Sequence, residues 1–193
     1  GLIDHYNYVL PELRRRGLWG TFYISSGPLV HKPLLLDVHK VHALLGRFSS
    51  KLVLEQTENI MKSASEFVCT ELIGEFRSST YTAEMQTNDE ATSAFKRLIN
   101  YFLKPELKNK VLNSLMDCFF PNCSDKLAQA WYMNAEQLEI MSSCGMVLGA
   151  HSVSHPVLST LTHDEQLFEI RESLKRVSEI TDKNPPPGGS PSF

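Results

Sequence analysis

Two short apolar runs constrain this chain more than anything else in it, because each follows a helical pattern that stops at a glycine. Tyr6, Val9, Leu10 and Leu13 recur at helical spacing, and Arg14-Arg15-Arg16 before Gly17 marks the end of that helix. Trp19-Gly20-Thr21-Phe22-Tyr23-Ile24 then has the aromatic and β-branched content of a strand, closed by the turn residues Ser25-Ser26-Gly27-Pro28. The pattern recurs later. Asn134 is a helix cap, Leu138, Ile140 and Met141 supply apolar contacts, Cys144-Gly145 stops the helix, and Met146-Val147-Leu148-Gly149-Ala150 suits a buried parallel strand. Two helix-to-strand units predict an α/β fold with a parallel sheet. Such sheets carry their sites at the carboxyl ends of the strands, where the loop His151-Ser152-Val153-Ser154-His155-Pro156 falls.

Between the two units the periodicity is helical only, over 33–46, 50–62, 89–103, 108–118 and 124–130, with Gly74 and Pro105 as interruptions. We therefore expect three segments: 1–30 and 131–193 as two parts of an α/β core, and 31–130 as a helical insertion. In the last segment Thr162 caps a helix with Glu165 as its capping-box partner, and Leu167, Ile170, Leu174, Val177 and Ile180 form the expected apolar face. The proline-rich tail from Asn184 does not suit regular structure.

Composition narrows the function classes. The 193 residues fit one domain, and 42% hydrophobic with 21% charged residues excludes a disordered chain. Nineteen basic and 22 acidic residues leave a net charge of −3, so neither nucleic acid nor an anionic membrane surface is an expected partner. No apolar run approaches the roughly 18 residues of a membrane span, and no signal-peptide pattern opens the chain. Cys69, Cys118, Cys123 and Cys144 form no CxxC pair; Cys118 and Cys123 could bridge, but four free thiols in the cytoplasm is the plainer reading.

The chemistry concentrates at His151 and His155. On a helical turn a four-residue spacing brings two imidazoles onto one face, and a pair of neutral imidazoles suits a divalent metal, zinc first. Pro156 disfavours helical dihedrals at His155, which places the pair in a tight turn. The competing reading is an ordinary surface or core pair. His39 and His42 read as a solvated or packed pair, His163 as a residue of a helix first turn, and Trp19 and Trp131 as core; His5 and His31 have no evident partner. Ser152 and Ser154 are expected to bond to the loop backbone.

The stretch from Tyr132-Met133-Asn134 through Gly145-Met146-Val147-Leu148-Gly149-Ala150-His151-Ser152-Val153-Ser154-His155-Pro156-Val157-Leu158, then Leu161-Thr162, Glu169-Ile170 and Ser173, resembles the polysaccharide deacetylase family (NodB homology domain). The segment from Tyr8-Val9-Leu10 to Phe22-Tyr23-Ile24 is similar to that family's first helix and second strand, and Leu36-Asp37-Val38-His39-Lys40-Val41-His42 to an insertion in its cytoplasmic members. The resemblance implies a fragment of a distorted β/α barrel, zinc on His151 and His155, and an acetylated sugar or polysaccharide as substrate. It implies loss of an N-acetyl or O-acetyl group by metal-dependent hydrolysis. Gly1 is similar to the glycine of the family's Thr-Phe-Asp-Asp-Gly motif, whose aspartates, the base and the third metal ligand, would precede it; Asp4 matches a variable position. Pro187 and Gly188 resemble a groove-lining substrate motif, and the acid histidine would follow Phe193. On this basis the chain is an incomplete piece of the enzyme. A non-catalytic carbohydrate-binding relative lacking the acidic motif is the alternative.

Overall fold

The computed structural model describes residues 1–30, 34–64 and 88–182. Those residues are mostly helical, with one two-stranded parallel sheet. By internal contacts the chain divides into two compact units, Gly1–Leu36 with Ser124–Phe193, and Asp37–Cys123.

In the first unit a wide π-helical turn, His5–Val9, runs into α1, Leu10–Arg15, with Pro11 in the first turn, where a missing N–H costs nothing. Gly17 ends it in the left-handed region at φ +66°, its N–H bonding to the Arg14 carbonyl at 3.0 Å and the Leu18 N–H to the Leu13 carbonyl at 2.9 Å. These are the two bonds of a Schellman motif. The chain then enters β1, Thr21–Ile24. The same device serves the second strand. Asn134 and Gln137 form a reciprocal capping box at the start of an Ala135–Ser143 helix, which ends at Gly145 with φ +82°. The Gly145 N–H bonds to Ser142 O at 2.9 Å and the Met146 N–H to Met141 O at 3.1 Å, and β2, Val147–Ala150, follows at once.

β1 and β2 pair in parallel, Thr21 opposite Val147 and Ile24 opposite Ala150. Strand alternation sends Phe22, Ile24 and Leu148 into a core with Leu10, Met133, Leu138, Met141, Met146, Val177 and Ile180. Thr21 and Tyr23 point to the opposite face and are exposed, with Tyr23 63% accessible. An antiparallel bridge joins Leu2 to Tyr132, and the Met133 N–H bonds to the Gly1 carbonyl at 3.0 Å.

The other unit is helical: α3, Asp37–Arg47; α4, Ser50–Ala64; α5, Glu90–Arg97, continued by a π turn Leu98–Phe102; and α6, Pro105–Phe119, where α2 is the short Gly27–Val30 helix of the first unit. α6 packs on α3 and α4, and Leu44, Val53, Phe95, Leu112 and Leu115 are fully buried. Lys40, nearly buried, is held by Asp37 at 3.1 Å and by Asn113 Oδ1 at 3.0 Å. Asp89 caps α5; the Thr92 hydroxyl and N–H, with Ser50, hold its carboxyl down to about 2.

Several sequence expectations change. Pro105 separates two helical runs as expected, but it begins the second one instead of lying ahead of it, because the first turn has no use for a proline N–H. Ser25-Ser26-Gly27-Pro28 is less a turn than the entry to α2. Trp19 is not core; it is 69% exposed at the foot of β1. Numbering on, α7 is Ser124–Trp131, α8 the Ala135–Ser143 helix and α9 His163–Thr181, with the Thr162–Glu165 capping box as expected. Its buried stripe, however, is Glu169, Ser173, Val177 and Ile180, while Ile170 and Leu174 are exposed. Gly74, His31, Cys69 and the tail from Asn184, with Pro187 and Gly188, lie outside the described residues.

A Cβ at Gly145 would meet nothing within 4 Å, so a substitution there tests backbone conformation alone. Gly145→Ala should cost about 1–2 kcal/mol in urea unfolding, from the left-handed penalty, and Gly145→Asn less.

Candidate metal centre

The pairing of β1 with β2 does not stop where the strands end. The His151 N–H bonds to the Ile24 carbonyl at 2.9 Å, the Ser26 N–H to Ser152 O at 3.0 Å, and the Gly27 N–H to Val153 O at 2.8 Å. Ser25 Oγ adds a bond to the His151 carbonyl at 2.9 Å. The loop therefore begins as a continuation of the sheet and is held at a fixed height above it. Gly27 permits this approach: a Cβ there would lie 2.7 Å from the Val153 carbonyl oxygen.

Beyond Val153 the loop curls back. Ser152 and His155 both take left-handed dihedrals, at φ +56° and +59°. Ser152 Oγ donates to the His151 carbonyl at 2.6 Å and accepts from the His155 N–H at 3.1 Å. The buried Glu169 carboxylate on α9 accepts from the N–H groups of Val153 and Ser154 at 2.7 and 2.9 Å and from the Ser154 hydroxyl at 2.6 Å. Ser152 thus bonds to the loop backbone as expected, whereas the Ser154 hydroxyl turns to a helix side chain.

The result is convergence. His151 Nε2 and His155 Nε2 stand 3.0 Å apart, with the rings edge to face and their centroids 4.7 Å apart. The exposed ring of Tyr23 lies beside His151 at 6.0 Å between centroids. Partial burial first, then the charges of His155 and of the Gly1 amino group, hold His151 below the ordinary imidazole value. Gly1 is itself closely packed, since a Cβ would lie 2.6 Å from Met133 Cε and 2.8 Å from Ile24 Cδ1.

Two nitrogens each about 2.0–2.1 Å from a tetrahedral zinc stand about 3.3 Å apart, so the pair needs only a small ring rotation to serve as two ligands. Neutral imidazole is the ligand form, and the lowered value of His151 favours it. The donor set fits a divalent metal in part. Among the described residues no group of three or more His, Cys, Asp or Glu side chains is placed to hold a metal ion. His39 and His42 neighbour one another on α3, 5.8 Å between centroids, and belong to the other unit. His163 is exposed, 3.5 Å from Asp164, and Thr162 rather than His163 makes the cap. His5 packs on Phe22 at 5.3 Å.

Sequence reading found the two histidines but not the groups that seat them. Gly27 was legible only as a turn residue and Glu169 only as one residue of a motif; a carboxylate in line with Ser173, Val177 and Ile180 was the available signal.

Two imidazoles converge at the carboxyl end of a parallel strand, in an α/β unit. Residues 117–191 match the family described as polysaccharide deacetylase, which bears out the sequence resemblance over that segment. No curated protein and no solved structure matches the chain.

Two measurements test this geometry. Gly27→Ala should cost about 1–3 kcal/mol, as overpacking does, and should shift the ring resonances of both histidines in NMR spectra. His151 should titrate below about 6.5. Because its folded value lies below its unfolded one, its contribution to stability is full above about 6.5 and is lost as pH falls through the folded value. Urea midpoints should therefore fall from pH 7.5 towards pH 5, and fall less in His151→Gln.

Proposed function

We propose that the chain contributes the histidine half of the metal site in a carbohydrate deacetylase, a hydrolase of carbon–nitrogen bonds other than peptide bonds that removes an N-acetyl, or O-acetyl, group from a sugar or polysaccharide. The observation that carries this is the convergence of the two Nε2 atoms above the end of β2, within a segment that matches the family. His151 and His155 would hold one divalent metal, zinc first. An aspartate supplied ahead of Gly1 would complete the ligand set and a second would act as base. When bound, the metal lowers the pKa of its water towards about 7 and polarises the acetyl carbonyl.

The chain's own residues have simpler tasks. The two imidazoles are aimed at one point, the loop backbone holds them there, and the exposed Tyr23 ring lies beside His151 on the uncovered side of the sheet. An aromatic face next to the reacting centre suits a sugar ring. Pro187 and Gly188 would contact the substrate, as the resemblance implies, and a histidine after Phe193 would protonate the departing amine. The chain would then be a piece of a distorted β/α barrel, with Thr21 and Tyr23 facing the barrel interior and residues 31–130 inserted as helices. The free thiols of Cys118, Cys123 and Cys144 suit a cytoplasmic location. No helix among the described residues is long and apolar enough to cross a membrane, and the charge balance favours no nucleic acid.

The chain as given should bind zinc weakly and show negligible deacetylase activity, because two histidines without a carboxylate make a poor site. A form extended ahead of Gly1 should retain about one zinc per chain after dialysis and lose it when His151 and His155 are both changed to Ala. Unchanged zinc content in that double variant would overturn the metal assignment. If the upstream residues prove non-acidic, the alternative of a non-catalytic carbohydrate-binding relative takes its place.

A further inference from the structure

The two histidines are held by different means. His151 is placed by the sheet, since its N–H bonds to Ile24 and the next two carbonyls accept from Ser26 and Gly27. His155 lies past the last of those bonds, in a left-handed conformation that a histidine does not favour. Besides the bond from the His155 N–H to Ser152 Oγ, what fixes its end of the loop is Glu169. One carboxylate takes three donors, the N–H groups of Val153 and Ser154 and the Ser154 hydroxyl, all within 2.9 Å. Those bonds orient the peptide planes on both sides of Val153 and aim the chain so that His155 turns back over His151.

The position of Glu169 in its helix strengthens the case. It is 8% exposed and in line with Ser173, Val177 and Ile180 on the buried face of α9, where an apolar residue would follow the pattern. A buried carboxylate is costly unless its oxygens are filled, and here the loop fills them. We propose that Glu169 is the positioning residue of the histidine pair, setting the separation of the two Nε2 atoms by clamping residues 153–154. This rests on the reading of the pair as metal ligands for its use, but not for its geometry.

The test separates the two. Glu169→Leu leaves two loop N–H groups unpaired, whereas Glu169→Gln keeps an amide oxygen that can accept both. In the full chain without metal, the ring-to-ring NOE between His151 and His155 should be strong in the native protein, retained in Glu169→Gln and lost in Glu169→Leu. Zinc titration followed by the histidine ring signals should show affinity weakened about tenfold or more in Glu169→Leu, in the range typical of groups that orient metal ligands, with Glu169→Gln close to native. Should Glu169→Leu not fold, Ser154→Ala removes one of the three donors and should weaken both signals partially. A folded Glu169→Leu, or Ser154→Ala in its place, with an undiminished NOE would overturn the proposal. If the NOE responds as stated but zinc perturbs neither ring in a form extended ahead of Gly1, the clamp stands and the metal reading fails.

Discussion

The parallel pairing of β1 with β2 is the constraint on which the rest of this unit depends, because it carries on through the backbone of residues 25–27 and 151–153 after the strands have ended. A loop that starts as sheet has little freedom in its first three residues. The register that sets Ile24 opposite Ala150 therefore also sets where His151 begins, and a slip of one residue would send its side chain to the other face. The helices beneath do the anchoring. Leu10, Leu138, Met141, Val177 and Ile180 bury the inward face of both strands, so the sheet is held from one side.

That one-sidedness shapes the site. Alternation leaves Thr21, Tyr23 and the His151 loop on the uncovered side, so the aromatic ring and the imidazoles share one surface. Gly149 lies under Tyr23, where a Cβ would come within 2.8 Å of the ring. Partial burial and the neighbouring His155 hold His151 below the ordinary imidazole value. A neutral pair with nitrogens converging is what a cation requires of two ligands, and a charged pair would repel it.

Much of the first unit was legible in the residues. Gly17 and Gly145 announced where the helices stop, Asn134 and Thr162 where helices begin, and these signals are local: a cap or a left-handed turn depends on a handful of neighbouring atoms. What misled was apolarity taken as burial. On α9, Leu167, Ile170, Leu174, Val177 and Ile180 suggested one inward face, yet the helix turns Glu169 and Ser173 inward and leaves Ile170 and Leu174 exposed. Trp19 errs in the same direction, a large apolar side chain assigned to the core and found at the surface. Pro105 marks a break between helical runs, as its sequence position suggests, and the second run starts at the proline itself because the first turn tolerates it.

By itself the sequence determined the helices with their caps and stops, the two strands, and the pair of histidines four residues apart in a loop after the second strand. Each of these rests on interactions between near neighbours in the chain. Only the tertiary structure decided that the two imidazoles meet at 3.0 Å, that Gly27 must lack a side chain, and that a carboxylate on α9 holds residues 153 and 154. Those contacts join segments far apart in sequence, Ser25 with His151 and Glu169 with Val153, and their geometry exists only once the core has brought sheet and helix together.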